Sequence, residues 1–454
     1  MHVLQLVPGL EVGGVERGVL DLAKGLIAKG HRVSVVSSGG ALVERLTAAG
    51  AMHYRLPVHE KSLRTMASCM PVVTQLIRET GVDIVHARSR IPGWIGLMAA
   101  RASQRPFVTT AHGFYRPHPG SRVMVWGRLV IAPSEALGRY LVERFGLPKR
   151  RLRVIPRGVD LGEFPFQPPA SSHHGPWRLG LFGRLSPVKG QDVALRACAR
   201  LMKHGVPVTL CIAGGAPGSS ARRSLESLVS ALKLQDVVEW LGIRQDMPEL
   251  LASMDLILMP STYPESFGRS VIEAQAVGRP VVASRLGALA EVIDDGVTGL
   301  LVPPRDPDAL AGAVERFIND AALRQRCIAA ARRRVERDWT VERMVDQTLA
   351  VYDECLTKPN VLVWKLSALG DVILSTPSLR AVRRQFPKGR ITLVTGRSAY
   401  EVVAHCPYVD DILIYDPRGR PDALRQRTLI RRLREGSFDV SIDLQNSRDR
   451  KSVV

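Results

Sequence analysis

Two glutamates eight positions apart, Glu265 and Glu273, stand in the stretch Pro264-Glu265-Ser266-Phe267-Gly268-Arg269-Ser270-Val271-Ile272-Glu273-Ala274. The apolar run Asp255 to Ser261 ahead of them reads as a buried strand, and an amphipathic helix ended by Gly278 follows. A strand, a glycine-bearing turn and a helix start offer free backbone N–H groups and a positive dipole end, which is an anion site. Carboxylates beside it accept from hydroxyls, so the combination suits a phosphorylated sugar. If both glutamates were helical, eight steps of about 100° would leave about 80° between them. Pro264 and Gly268 place Glu265 in the turn instead. The two then touch different parts of one ligand and are not the facing pair of a glycosidase. On this spacing alone, one capping and one solvated glutamate is the better account, so the rest of the chain must decide.

Three further groups carry charge or close backbone approach. Gly13-Gly14-Val15-Glu16 follows a first strand and opens a helix, where glycines let backbone approach a phosphate. The dinucleotide fingerprint G-x-G-x-x-G is absent, so a redox cofactor site is not indicated. In Gly183-Arg184-Leu185-Ser186-Pro187-Val188-Lys189-Gly190, Arg184 and Lys189 bracket a turn. They could grip a diphosphate, Arg by forked hydrogen bonds and Lys as a point charge, or be two solvated cations. Ala111-His112-Gly113 ends a strand, where an α/β sheet binds its ligands. A lone histidine there is more often structural.

The elements that must position these residues alternate strand and helix almost throughout, the pattern of parallel βαβ units. Strands are expected at 3–7, 32–37, 82–86, 106–111 and 129–133, with a helix over 15–29. A second run has strands near 178–182, 208–213, 237–241, 255–260, 280–283 and 299–302. Between the runs, residues 167–176 (Gln-Pro-Pro-Ala-Ser-Ser-His-His-Gly-Pro) read as a linker, and His173-His174 as exposed linker residues, not metal ligands. Asp306-Pro307-Asp308 matches a D-x-D formally, but aspartate, proline and an Ala/Leu-rich run read as a helix cap with Pro at N1. The basic amphipathic stretch 310–356 is expected to complete the second unit. After a boundary at Lys358-Pro359, strands near 361–364, 391–394, 412–415 and 440–444 start a third. The expected division is therefore 1–166, the linker 167–176, 177–357 and 358–454.

With 454 residues, 45% hydrophobic and 23% charged, the composition is that of a globular chain. No apolar run approaches the ~20 residues that span a bilayer. The start Met1 to Pro8 reads as a strand and not a signal peptide, so a cytoplasmic place is expected. Sixty-three Lys and Arg against 43 Asp and Glu give +20, which favours anionic partners. Dispersed arginines and 5% aromatics argue against nucleic acid. Peripheral contact with an anionic inner membrane and a merely solvated basic surface both fit. The six scattered cysteines read as reduced core thiols.

Taken together and in this order, these pieces resemble glycosyltransferase family 4 over about residues 1–356. The match rests on Gly13-Gly14-Val15-Glu16, His112, Val154-Ile155-Pro156-Arg157-Gly158-Val159-Asp160, Gly183-Arg184 with Lys189-Gly190, and Glu265 with Glu273. Gly287-Ala288-Leu289-Ala290-Glu291-Val292-Ile293 and Gly296-Val297-Thr298-Gly299-Leu300-Leu301-Val302-Pro303 complete it. The resemblance implies the α/β GT-B architecture, two Rossmann-like doubly wound domains facing a cleft. It implies sugar transfer from a nucleotide sugar with retention and no obligatory metal or other cofactor. It further implies that Arg184 and Lys189 bind the donor diphosphate, Glu273 the ribose hydroxyls and Glu265 the sugar hydroxyls. Phe267, Gly268 and Arg269 would offer backbone, Gly13 and Gly14 would approach the diphosphate, and His112 would face the reacting sugar. Arg157 stands where the family often has asparagine, and little effect on the chemistry is expected.

The tail Lys365 to Pro377, with Asp443-Leu444-Gln445, resembles the start of glycosyltransferase family 9, the lipopolysaccharide heptosyltransferases. That family inverts configuration, and its proposed base falls on Asp371, though a glycine–aspartate turn also serves as a cap. The tail is a partial Rossmann-like domain without a donor half, expected to transfer nothing alone; its end suggests a truncated fusion or incomplete gene. From Asn360 on, 17 Lys and Arg face 10 Asp and Glu, several on an expected helix over 422–435 (Arg425, Arg427, Arg431, Arg432, Arg434). That face could touch acidic lipid or saccharide, or be solvated. The expected function is transfer to a lipid-linked or lipopolysaccharide or other surface-glycan acceptor. Two rivals stand: a GT-B sugar-nucleotide epimerase, releasing nucleotide without glycosylating, and a non-catalytic nucleotide-sugar-binding scaffold.

Overall fold

The structure, a computed structural model, describes residues 1–11, 13–167, 169, 175–215, 218–357, 359–366, 369–415, 428–430, 432–433 and 438–444. The His173-His174 pair, Lys358, Gln445, and Arg425, Arg427, Arg431 and Arg434 of the expected basic helix lie outside them. Among the described residues, short runs rich in β-branched and other apolar residues form seventeen strands: β1 (His2–Leu6), β2 (Arg32–Ser37), β3 (Met52–Arg55), β4 (Ile84–Ala87), β5 (Phe107–Thr110), β6 (Leu129–Ala132), β7 (Leu152–Val154), β8 (Trp177–Phe182), β9 (Val208–Ala213), β10 (Val238–Gly242), β11 (Leu256–Met259), β12 (Val281–Ser284), β13 (Leu300–Val302), β14 (Asn360–Trp364), β15 (Arg390–Thr395), β16 (Asp411–Ile414) and β17 (Val440–Asp443).

They make three wholly parallel sheets, ordered β3-β2-β1-β4-β5-β6-β7, β10-β9-β8-β11-β12-β13 and β16-β15-β14-β17. The first two follow the doubly wound 3-2-1-4-5-6 order, which places the order reversal, and so the ligand crevice, beside β1/β4 and β8/β11. Central strands are buried on both faces, as helix-covered parallel sheets require: β1, β4, β5, β6, β11 and β12 have no exposed residue. Leu179, Leu210, Leu256 and Leu258 point to one face of the second sheet with Leu195, Leu201 and Phe317. Ile257, Met259 and Val281 point to the other with Val271, Ile272 and Val277.

The chain divides into two compact units, Met1–Thr348 and Leu349–Val454. The first holds the first two sheets, and the second holds the third sheet around Val361, Val363, Ile391 and Leu393. One expectation about the first unit is corrected. The 310–356 stretch was expected to complete the second run, yet after Trp339 the chain returns to the first. Lys29 Nζ pairs with Asp346 Oδ1 at 2.7 Å, and Val345 packs where a Cβ on Gly25 would come within 2.4 Å of it. Gly25, mid-helix, permits that approach, and its lack of a side chain left no apolar signal to read. In the second unit, Asp371 lies in the first turn of a helix, Leu369–Leu374. Strands β3 and β7, short and only partly buried, were not anticipated. Asp306 does cap its helix, accepting from Ala309 N–H at 2.9 Å with Pro307 at the first turn, while Asp308 pairs with Arg200.

Candidate active site

Three helix starts carry the candidate residues. The Gly14–Ala28 helix begins at Gly13, whose extended backbone supplies no side-chain cap. The Glu16 carboxylate folds back over Gly13 instead, where a Cβ would meet it at 2.3 Å. Burial raises the Glu16 carboxyl, against the pull of backbone N–H groups and of the Arg184 and Arg157 charges. The Gln191–Lys203 helix begins at Gly190, at φ 69°, with Lys189 just before it. A Cβ on Gly190 would lie 1.9 Å from the Pro260 carbonyl, so only glycine brings this turn against the β11 exit. The Arg269–Val277 helix begins at Gly268, at φ 100°, where a Cβ would sit 2.7 Å from Leu289.

The second and third of these starts converge. Lys189 Nζ donates to Glu265 Oε1 at 2.8 Å, and Ser261 Oγ donates to the same oxygen at 2.8 Å. Thr262 N–H donates to Val188 C=O at 2.9 Å, tying the two loops by backbone. Glu265 lies in the turn and bridges to Gly287, and its carbonyl accepts from Ala288 N–H at 3.1 Å. Arg184 shares the Lys189 loop but does not join the pair. Its side chain is exposed, and its carbonyl accepts from Gln191 Nε2 at 3.0 Å. Phe267 is core, edge-on to Trp339 with centroids 6.4 Å apart, and so offers the site only its backbone.

Arg269 does more than supply backbone. Its Nε donates to Glu273 Oε1 at 2.7 Å and its Nη2 to Asp21 Oδ2 at 2.8 Å. Burial alone would lower this guanidinium, but the charges and hydrogen bonds of Asp21 and Glu273 outweigh it and raise it. Asp21 belongs to the Gly14–Ala28 helix, so one buried ion pair spans the two sheets of the first unit. The same two halves are joined where Glu291 accepts from Glu135 and Ala136 N–H at 2.9 and 2.6 Å. Ser134 Oγ donates to the Ser266 carbonyl at 2.8 Å, in the loop that carries Glu265. Sequence reasoning missed Asp21, Ser134 and Glu291 as joining residues. The one available signal was a carboxylate, Asp21, among the apolar positions Val19, Leu20, Leu22 and Ala23.

His112 follows β5. Its backbone N–H donates to Tyr115 Oη at 3.0 Å, Arg157 Nη2 contacts its Nδ1, and its Nε2 is enclosed without a partner among the described residues. Burial, then Arg157, Arg88 and His86, hold its imidazole well below the usual histidine range. Arg157 itself is buried and pushed down by burial and by Arg88. A small cavity beside it is lined by residues that include His86, Arg88, Thr110, Arg157 and Thr348. Asp371 belongs to the second unit, 3.9 Å from Lys365 Nζ and exposed.

The arrangement can receive an anion at helix starts flanked by Lys189 and Arg184, and can bind hydroxyls through Glu265 and Glu273. A profile described as Glycosyl transferases group 1 matches residues 165–334, and one described as Glycosyltransferase Family 4 matches residues 12–163. A D-inositol 3-phosphate glycosyltransferase of Acidothermus cellulolyticus is 30% identical over 405 residues, 78% of this chain and 88% of that one. One of the same name from Salinispora tropica is 31% identical over 63% of this chain and 66% of its own length. Among solved structures, a glycosyltransferase from Rickettsia africae superposes with a TM-score of 0.70 at 28% identity, over 78% of this chain and 98% of that one. Anabaena HepE in complex with UDP-glucose superposes with a TM-score of 0.68 at 25% identity, over 78% and 100%.

Proposed function

The chain belongs to the group 1 glycosyltransferases, an enzyme with the GT-B fold, and from that premise we propose that it moves a sugar with retention from a nucleotide-sugar donor. The observation that carries this reading is the Lys189–Glu265 pair set between two glycine-started helices. On donor binding Lys189 and Arg184 take the diphosphate, and Glu265 keeps an oxygen for the sugar hydroxyls. Glu273 holds the ribose hydroxyls beside Arg269. Breaking the C1–O bond leaves negative charge on the diphosphate and positive charge on the sugar. Fixed cations and amide dipoles meet that charge without reorganising, and each such donor is worth about 2.7–4 kcal/mol of barrier.

Several finer readings belong to the same proposal. The division 1–166, 177–357 and 358–454 assigns the acceptor to the first Rossmann-like domain and the donor to the second. Residues 358–454 are heptosyltransferase-like, a reading supported by the half-Rossmann order of the sheet there and by Asp371 at a helix start. The acceptor is a lipid-linked or surface glycan, reached by peripheral contact with an anionic membrane. Among the described residues no helix is long and apolar enough to cross one. The test is a thermal-shift screen of nucleotide sugars, then mass analysis of products on lipid-linked acceptors, with D-inositol 3-phosphate included because two relatives carry it in their names. A glycosylated product supports the proposal. Nucleotide release without product favours the epimerase, and donor binding without release favours the scaffold.

A further inference from the structure

We infer that Arg157 is a positioning residue that fixes His112 as its Nε2–H tautomer and so turns that proton toward the donor sugar; this rests on the transferase reading above. A guanidinium has five N–H donors and no acceptor. Its contact with His112 Nδ1 therefore requires a lone pair there, and the ring's one proton lies on Nε2. Nε2 is enclosed and has no partner among the described residues. A buried donor without an acceptor is unfavourable, so an oxygen of the bound ligand is its natural partner.

A second observation shows that the protein makes room for this contact. Gly18 sits inside the Gly14–Ala28 helix, where alanine would be favoured. A Cβ there would lie 2.4 Å from Arg157 Nη1. The glycine clears the space that lets the guanidinium reach the histidine.

The surroundings select the neutral ring. The groups facing His112 are Arg157 after β7, Arg88 and His86 at the end of β4, and Tyr115, which accepts from the His112 backbone N–H. No carboxylate is among them, and each of the three basic groups opposes an imidazolium. A ring held neutral, with Nδ1 occupied and Nε2 protonated, can donate a hydrogen bond but cannot take a proton. His112 thus acts as a fixed donor to a sugar or phosphate oxygen and not as a general base.

The experiment uses the full chain with 15N-labelled histidine and reads the imidazole nitrogens at neutral pH, His112 being assigned by its loss in His112→Asn. An unprotonated Nδ1 with a protonated Nε2 is expected; the opposite tautomer, or a charged ring, overturns the inference. Arg157→Lys, still a donor only, should keep the tautomer. Arg157→Met should bring the ring's titration up toward the ordinary value and lower kcat roughly tenfold, the low end of what loss of a histidine-orienting partner costs in metal sites. The acid limb of its kcat profile should rise with it. Gly18→Ala, which displaces the guanidinium without altering either residue, should shift the titration the same way. An unchanged titration and pH profile in both Arg157→Met and Gly18→Ala also overturns it. If no donor yields product, the transferase reading fails while the nitrogen spectra still decide this one.

Discussion

Replacing Arg269 with methionine keeps the aliphatic volume and removes the guanidinium. The side chains of Arg269, Asp21 and Glu273 are 12%, 5% and 11% exposed, so the variant leaves two carboxylates buried without their cation. Removing one partner of a buried pair costs about 3–5 kcal/mol, because the other charge stays desolvated. Asp21 keeps its pair with Arg17, whose Nε is 3.5 Å away, so the loss at that end is not complete. For a unit of residues 1–348, an unfolding entropy of roughly 2.1 cal/mol/K per residue amounts to about 0.7 kcal/mol/K, and the melting temperature should fall by about 4–7 °C. Arg269→Lys should recover only part of this, since one ammonium cannot fork to two carboxylates as a guanidinium does. The assay is calorimetry of the full chain with both variants and Asp21→Asn. Because Arg269 and Asp21 interact directly, the Arg269→Met and Asp21→Asn losses should not add in the double variant. A fall of under 1 °C in Arg269→Met, or strict additivity, would refute the reasoning.

Other outcomes follow from the same structure. Glu273→Gln should weaken donor binding while turnover at saturation is largely kept; a large turnover loss with unchanged donor affinity would contradict the ribose role. Burial holds His86 and His112 well below the usual histidine range, His86 helped by Arg88 and Arg157 and His112 by Arg157 and Arg88. Between those low values and about 6.5 the unfolded chain binds more protons than the folded one, so stability should fall as pH drops below about 6.5. Denaturant titrations of wild type and His86→Gln at pH 5 and 7.5 check this, and a smaller pH difference is expected in the variant. Burial pushes the Cys198 and Cys211 thiols up to about 12, and of the six cysteines only Cys406 is partly exposed. A thiol reagent should therefore modify about one cysteine per folded chain and six after denaturation. Rapid modification of Cys198 would show that the core opens far more readily than its packing indicates.

How much was legible in the sequence follows from the range of the forces involved. Hydrophobic runs and glycine stops are local, so β2 and β9 fall on the residues expected, and the other expected strands are found with ends shifted by up to two residues. Turn chemistry is local too, which is why Glu265 in its turn and the Asp306 cap could be read from their neighbours. The return of the chain after Trp339 depends on Val345 meeting a glycine more than 300 positions earlier, which no local pattern records. The link from Arg269 to Asp21 is likewise non-local: the two residues lie 248 positions apart and meet only when the two sheets are brought together. Arg157 is the instructive residue. As a departure from a familiar motif it is expected to have little effect on the chemistry, and the structure adds that its guanidinium lies buried against His112, 45 positions away in the chain.

The central claim is that cations fixed at helix starts receive the departing diphosphate. Its most direct test is the affinity of wild type, Lys189→Ala and Arg184→Ala for the nucleoside diphosphate selected by the thermal-shift screen, measured by calorimetric titration beside turnover. Each hydrogen bond to a charged group is worth about 1.5–3 kcal/mol. Affinity should therefore fall at least tenfold in each variant, and turnover by about two orders of magnitude or more. Wild-type affinity together with near-normal turnover in both variants would contradict the account.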